Sequence, residues 1–116
     1  MKLKTGEYFG EYSTEKVING LLITKSYHIQ YNKISWHHHS NPYYSFVLEG
    51  KYQENYDNES FSLKKGDMVF HPTHTVHSNI FHNLDTKCLN IEFSNEWLNK
   101  FDIDADKIIG QPLITV

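Results

Sequence analysis

Arginine is absent from this chain. Its basic residues are all lysine, 11 against 14 acidic residues, for a net charge of −3 over 116 residues. The longest basic run is the pair Lys64-Lys65. Nucleic-acid recognition draws on a basic patch and, for guanine, on the arginine fork, and neither is present. The chain by itself is therefore expected to make no specific contact with DNA. Cysteine is nearly as scarce. The single Cys88 excludes an internal disulfide and reads as a small buried hydrophobe. No apolar stretch approaches the ~18 residues that span a bilayer. The first residues, Met1-Lys2-Leu3-Lys4-Thr5-Gly6-Glu7, lack the apolar core of a signal peptide. A cytoplasmic location without a membrane partner is the expectation. There is also no glycine-rich phosphate loop and no G-x-S-x-G nucleophile elbow.

What the chain has in quantity is aromatic residues, 15% of the total, with eight tyrosines and seven phenylalanines. Such side chains suit pleated, half-buried surfaces. From Leu21 onward, alternating apolar and polar stretches are separated by turn signals every 8–12 residues, the rhythm of a sandwich or barrel. Strands are predicted over Leu21–Gln30, Ile34–His39, Tyr43–Leu48, Lys51–Tyr56, Glu59–Leu63, Met68–Phe70, Val76–His82 and Lys87–Phe93. Ser40-Asn41-Pro42, Glu49-Gly50, Asp57-Asn58 and Gly66-Asp67 punctuate them. Ser94 then offers an N-cap, and Trp97, Leu98 and Phe101 stand at helical spacing, which predicts one or two turns of helix. The fold class is all-β with a short C-terminal helix.

Two gapped motifs carry the chemistry. His37 and His39 lie two apart on a strand, so both point to one face while His38 points away. They begin the pattern His37-x-His39-x(3)-Tyr43-x(6)-Gly50, and Gly66-x(5)-Pro72-x(4)-His77 follows it. The pair resembles the signature of the double-stranded β-helix, or cupin jelly-roll barrel, a resemblance that puts Tyr43 where a metal-binding member carries glutamate. Neutral imidazole is the commonest protein ligand for Zn, Ni, Fe or Mn. His37, His39 and His77 are therefore candidate metal ligands. The same residues could instead line a metal-free polar pocket, each ring donating from one nitrogen and accepting at the other. Tyr43 is aimed into that pocket, and His74 is placed at its mouth. His71 reads as a loop residue. His28 and His82 receive no role. Glu49, Glu54, Glu59 and Glu92 read as surface or turn residues, so no acid–base pair is identified.

The run Tyr44-Ser45-Phe46-Val47-Leu48-Glu49-Gly50, the block Gly66 to Pro72 with Val76-His77-Ser78, and Asn90-Ile91-Glu92-Phe93-Ser94 before Trp97-Leu98 resemble the N-terminal cupin domain of AraC-family transcriptional regulators. The resemblance spans about Leu21 to Phe101. It implies an effector-sensing domain over 1–101, with 102–116 as the start of a linker toward a DNA-binding helix-turn-helix domain absent from this chain. It further implies a small-molecule effector, such as a sugar, bound by His37, His39, Tyr43, His74 and His77, and a homodimer formed through the helical tail. The catalytic alternative is a small metal-dependent cupin enzyme, a dioxygenase or isomerase, using the three histidines.

Overall fold

The structure, a computed structural model, describes residues 1–104 and the backbone of Leu113–Thr115; of Thr14 and Glu15 it describes the backbone alone. Its elements run β1 (Lys2–Leu3), β2 (Glu11–Ile18), β3 (Leu21–His28), β4 (Lys33–His39), β5 (Tyr43–Glu49), β6 (Lys51–Asn55), β7 (Ser60–Lys64), β8 (Met68–His71), β9 (His77–Phe81), β10 (Thr86–Phe93), α1 (Asn95–Lys100) and β11 (Leu113–Thr115). Among the described residues these strands form two sheets, ordered β1-β4-β9-β6-β7 and β11-β8-β5-β10-β3-β2. The result is the all-β jelly-roll barrel: the turn spacing predicts a sandwich or barrel and the motif resemblance the jelly roll, and one short helix follows the last long strand among the described residues. No described helix is long and apolar enough to cross a membrane.

Strict alternation explains most of the interior. Along β5, Tyr43, Ser45 and Val47 are buried while Tyr44, Phe46 and Leu48 are half-exposed. Val47 joins Ile34, Tyr52, Leu63, Val69, Phe81 and Cys88 in the apolar floor of the barrel. Cys88 is the small buried hydrophobe expected of it, and burial pushes its thiol up to about 12, which keeps it protonated and unreactive. The turn between β5 and β6 needs its glycine. Gly50 sits at φ +88°, and a Cβ there would stand 2.3 Å from the backbone oxygen of Asp85. Both the left-handed backbone and the clash penalise alanine. Gly50→Ala is expected to cost about 2–4 kcal/mol, read as a lower midpoint in urea; an unchanged midpoint would show that this turn relaxes freely.

Two regions differ from the sequence reading. The chain before Leu21 also contributes strands, with β1 parallel to β4 and β2 on the edge beyond β3. At the other end, α1 begins after Ser94 as expected, but Ser94 makes no side-chain cap. Its backbone N–H bonds instead to the Gly20 carbonyl at 3.0 Å. Of the three apolar tail residues, Leu98 is buried in the monomer, Trp97 is half-buried and Phe101 is exposed. The segment expected as linker, 102–116, lies largely outside the described residues, and its Leu113–Thr115 pairs antiparallel with β8.

Candidate metal centre

The histidines meet because of one irregularity. In β4, Ile34 and His37 stand an odd number of residues apart, so strict alternation would send them to opposite faces. A β-bulge between them shifts the register, and both point inward. His37 then lies directly opposite His77 of β9, and His39 follows two residues on. Ring centroids are 4.3 Å apart for His37 and His77, 5.6 Å for His37 and His39, and 6.0 Å for His39 and His77. One donor atom from each of the three falls within 4.8 Å of the others, all in buried surroundings.

Hydrogen bonds set which nitrogen faces inward. Nδ1 of His37 lies 2.7 Å from the Ser35 carbonyl oxygen, and Nδ1 of His77 lies 3.1 Å from that of Thr75. A carbonyl oxygen only accepts, so each Nδ1 carries the proton and each Nε2 keeps its lone pair. This is the arrangement by which backbone partners orient metal-ligating histidines. Nδ1 of His39 is buried without a protein partner among the described residues. Burial holds all three rings below the usual imidazole range. The direction is down for His37, and the value is about 2 for His39 and about 3 for His77. At neutral pH they are therefore uncharged, the form that binds a cation. The donor set fits a first-row divalent ion.

Tyr43, the tyrosine at the glutamate position, is also inside. Its hydroxyl is 3.5 Å from His77 Nε2, and its ring stacks at 4.2 Å on His71, its cross-strand partner. Burial and the nearby Glu54 charge push its phenol up, so it remains neutral. His74 is placed differently. It is exposed, at φ +63°, with its ring 5.9 Å from His38, and it does not line the interior cavity. His38 is half-buried on the outer face of β4, consistent with its pointing away from the pair beside it.

Several functional candidates escaped the sequence reading. His71 is no loop residue: it ends β8, is 1% exposed, and faces the cavity. Glu54 is no surface residue either. It lies on β6 between Tyr52 and Tyr56, the alternation that turns all three inward, and is 1% exposed. Oε1 of Glu54 accepts from His71 Nε2 at 2.8 Å and from Asn79 Nδ2 at 3.2 Å, while Oε2 accepts from the Tyr56 hydroxyl. Burial pushes the Glu54 carboxyl up, but His71, His77 and these hydrogen bonds outweigh it and hold the group at about 2. The cavity thus contains a carboxylate, brought from β6 instead of β5.

Glu92, also read as a surface residue, is buried on β10 and anchors the amino-terminal segment. Its carboxylate accepts from the Gly6 backbone N–H at 2.9 Å, the Tyr8 hydroxyl at 3.0 Å and Asn41 Nδ2 at 2.9 Å. Tyr8 is thereby held against His39 and Tyr43, at 5.2 and 5.6 Å between ring centroids, and walls the cavity. The cavity among these side chains has a volume of about 40 Å³. A single water needs ~10–15 Å³, and pockets for drug-sized ligands run to ~300–1,000 Å³. The space suits an ion with one small ligand.

A family model described as a cupin domain matches residues 27–91. No curated protein matches the sequence. Among solved structures, the plu4264 protein of Photorhabdus luminescens superposes with a TM-score of 0.68 at 22% identity, covering 83% of this chain and 85% of its own. KdgF from Halomonas sp. gives 0.63 at 17% identity, covering 70% and 76%. The DMSP lyase DddQ from Ruegeria pomeroyi gives 0.63 at 18%, covering 83% of this chain but 43% of its own. At these identities the likeness speaks for the fold alone.

Proposed function

The chain belongs to the cupin domain family, and from that membership we propose that it is a metal-dependent cupin enzyme acting on a small polar substrate. The observation that carries this reading is the convergence of His37, His39 and His77, with Nδ1 of two rings pinned by backbone carbonyls and donor atoms gathered within 4.8 Å. A divalent ion held there would supply Lewis-acid polarisation of a bound oxygen. The chain's own groups would do the rest. Tyr43 and His71 stand beside the centre as hydrogen-bonding surfaces, and Tyr8 walls one side of it. The buried charge of Glu54 offsets a cation where Tyr43 does not.

The second reading is the effector-sensing domain of an AraC-type regulator with a metal-free pocket. It is favoured by Tyr43, a phenol at the motif position where a carboxylate would bind metal. The strings that carry the regulator resemblance lie on β5, β8, β9 and β10, their turns and α1.

Elemental analysis of the protein purified without chelator separates the two. Near-stoichiometric Zn, Ni, Fe or Mn is expected, with a thermal midpoint that falls after chelator treatment, because an ion bound only by the folded state stabilises it. Protein free of metal, whose midpoint ignores both chelator and added Zn or Mn, would overturn the enzyme reading in favour of the sensor.

A further inference from the structure

Glu54 and His71 supply no ligand to the three-histidine centre, yet with His77 they make a second group whose donor atoms lie within 4.8 Å of one another. We propose that Glu54, His71 and His77 form a second metal seat of two imidazoles and one carboxylate, which shares His77 with the three-histidine seat and takes a harder ion such as Mn²⁺. This inference rests on the metal-centre reading and deepens it.

Three observations support the second seat. The first is separation: His71 Nε2 and Glu54 Oε1 are 2.8 Å apart. Neighbouring ligands at right angles around an ion at ~2.1 Å stand about 3 Å apart, so these two atoms need little movement to bind one ion. The second is unsatisfied hydrogen bonding. His71 is 1% exposed, and its Nδ1 has no partner among the described residues. Nothing occupies that nitrogen, so it can carry the ring proton when an ion takes Nε2. The third is charge. Glu54 is a buried carboxylate facing the cavity, and a cation beside it is its natural counterpart.

The two seats exclude each other. His77 Nδ1 is committed to the Thr75 carbonyl, so only Nε2 is left, and one lone pair serves one ion. The cavity therefore holds a single ion in one of two ligand fields, all-nitrogen toward His37 and His39 or mixed toward Glu54 and His71. Imidazole sets suit Zn²⁺, while a carboxylate tilts preference toward Mn²⁺.

Metal titration of the 116-residue protein, stripped with chelator, tests this with Zn²⁺ and Mn²⁺ as the only probes. Affinity is read by calorimetry and Mn²⁺ also by its paramagnetic resonance spectrum. Glu54→Gln is expected to weaken Mn²⁺ about tenfold or more and to change Zn²⁺ less than about threefold, the size of effect typical for ligand-sphere changes. His37→Ala should do the reverse. If Glu54→Gln fails to fold by circular dichroism, His71→Asn keeps a donor beside Glu54 while removing the imidazole, and should show the same Mn²⁺ loss. Glu54→Gln weakening both ions equally, or neither, overturns the second seat. So does loss of both ions in His37→Ala, which leaves the three-histidine centre standing alone. Wild-type protein that binds neither ion overturns the metal-centre reading itself.

Discussion

Replacing His77 by alanine is expected to abolish metal binding, lowering affinity for any first-row divalent ion by about 100-fold or more. The three-histidine set keeps only His37 and His39, both from β4, and two imidazoles on one strand enclose an ion from one side only. The Glu54–His71 group loses its third member at the same time. The variant also carries a structural cost. His77 is 2% exposed and packs on His71 at 4.9 Å and Tyr56 at 5.8 Å, so truncation leaves a void. A destabilisation of about 2–4 kcal/mol follows by analogy with other large-to-small changes in interiors. His28→Ala provides the control, because His28 is similarly buried and stacked on Phe81 at 4.4 Å, yet belongs to neither ligand group. It should lose stability and keep its metal. Stoichiometric metal in purified His77→Ala protein would remove this histidine from the centre.

Stability should collapse on mild acidification, and the same buried imidazoles are the cause. Burial holds His28 at about 4, His77 at about 3 and His39 at about 2 in the folded chain, against 6.5 for an exposed histidine. In each case the folded pKa lies below the unfolded one. The unfolded chain therefore binds protons that the folded chain refuses, and stability falls as pH drops below 6.5. Near pH 5 about three protons separate the two states, which is a slope of about 4 kcal/mol per pH unit. Glu54 adds a further loss in the same direction: its contribution is intact above 4.5 and disappears as pH falls toward 2. Domains of this size are stable by about 5–15 kcal/mol, so unfolding is expected between about pH 4 and 5.5 in chelator-treated protein. Urea midpoints measured from pH 7.5 to 5 check this. A flat profile across that interval would mean the rings are hydrated or protonated in the folded state.

Much of the barrel was legible because its strands obey period two and its turns carry Gly, Asn, Asp or Pro. Eight strands from Leu21 to Phe93 sit within a few residues of their predicted limits. His37, His39 and His77 could be grouped because i, i+2 spacing and a gapped motif are local signals. Glu54 was hidden by a different kind of information. Its role follows from facing Asn79 across β6 and β9, a register that no local pattern encodes. Even so, the alternation Tyr52, Glu54, Tyr56 placed a carboxylate on a face shared with two tyrosines, and that was readable. The β4 bulge was not: the burial of both Ile34 and His37 shows only once β9 is alongside. The amino-terminal residues were missed because two-residue β1 and the Tyr8 contact carry no periodicity at all.

That amino-terminal segment bears on how the protein should be handled. The His38 backbone N–H bonds to the Met1 carbonyl at 2.9 Å, Lys2 pairs with His38, and Glu92 fastens Gly6 and Tyr8 a few residues on. Residues Met1 to Leu3 therefore run alongside the strand that carries His37 and His39. A purification handle fused ahead of Met1 would begin within reach of the centre, and a polyhistidine one would bring competing imidazoles to it. Metal content measured on such a fusion would report the handle as much as the barrel. Any extension fused before Met1 therefore has to be cleaved away before the metals are weighed.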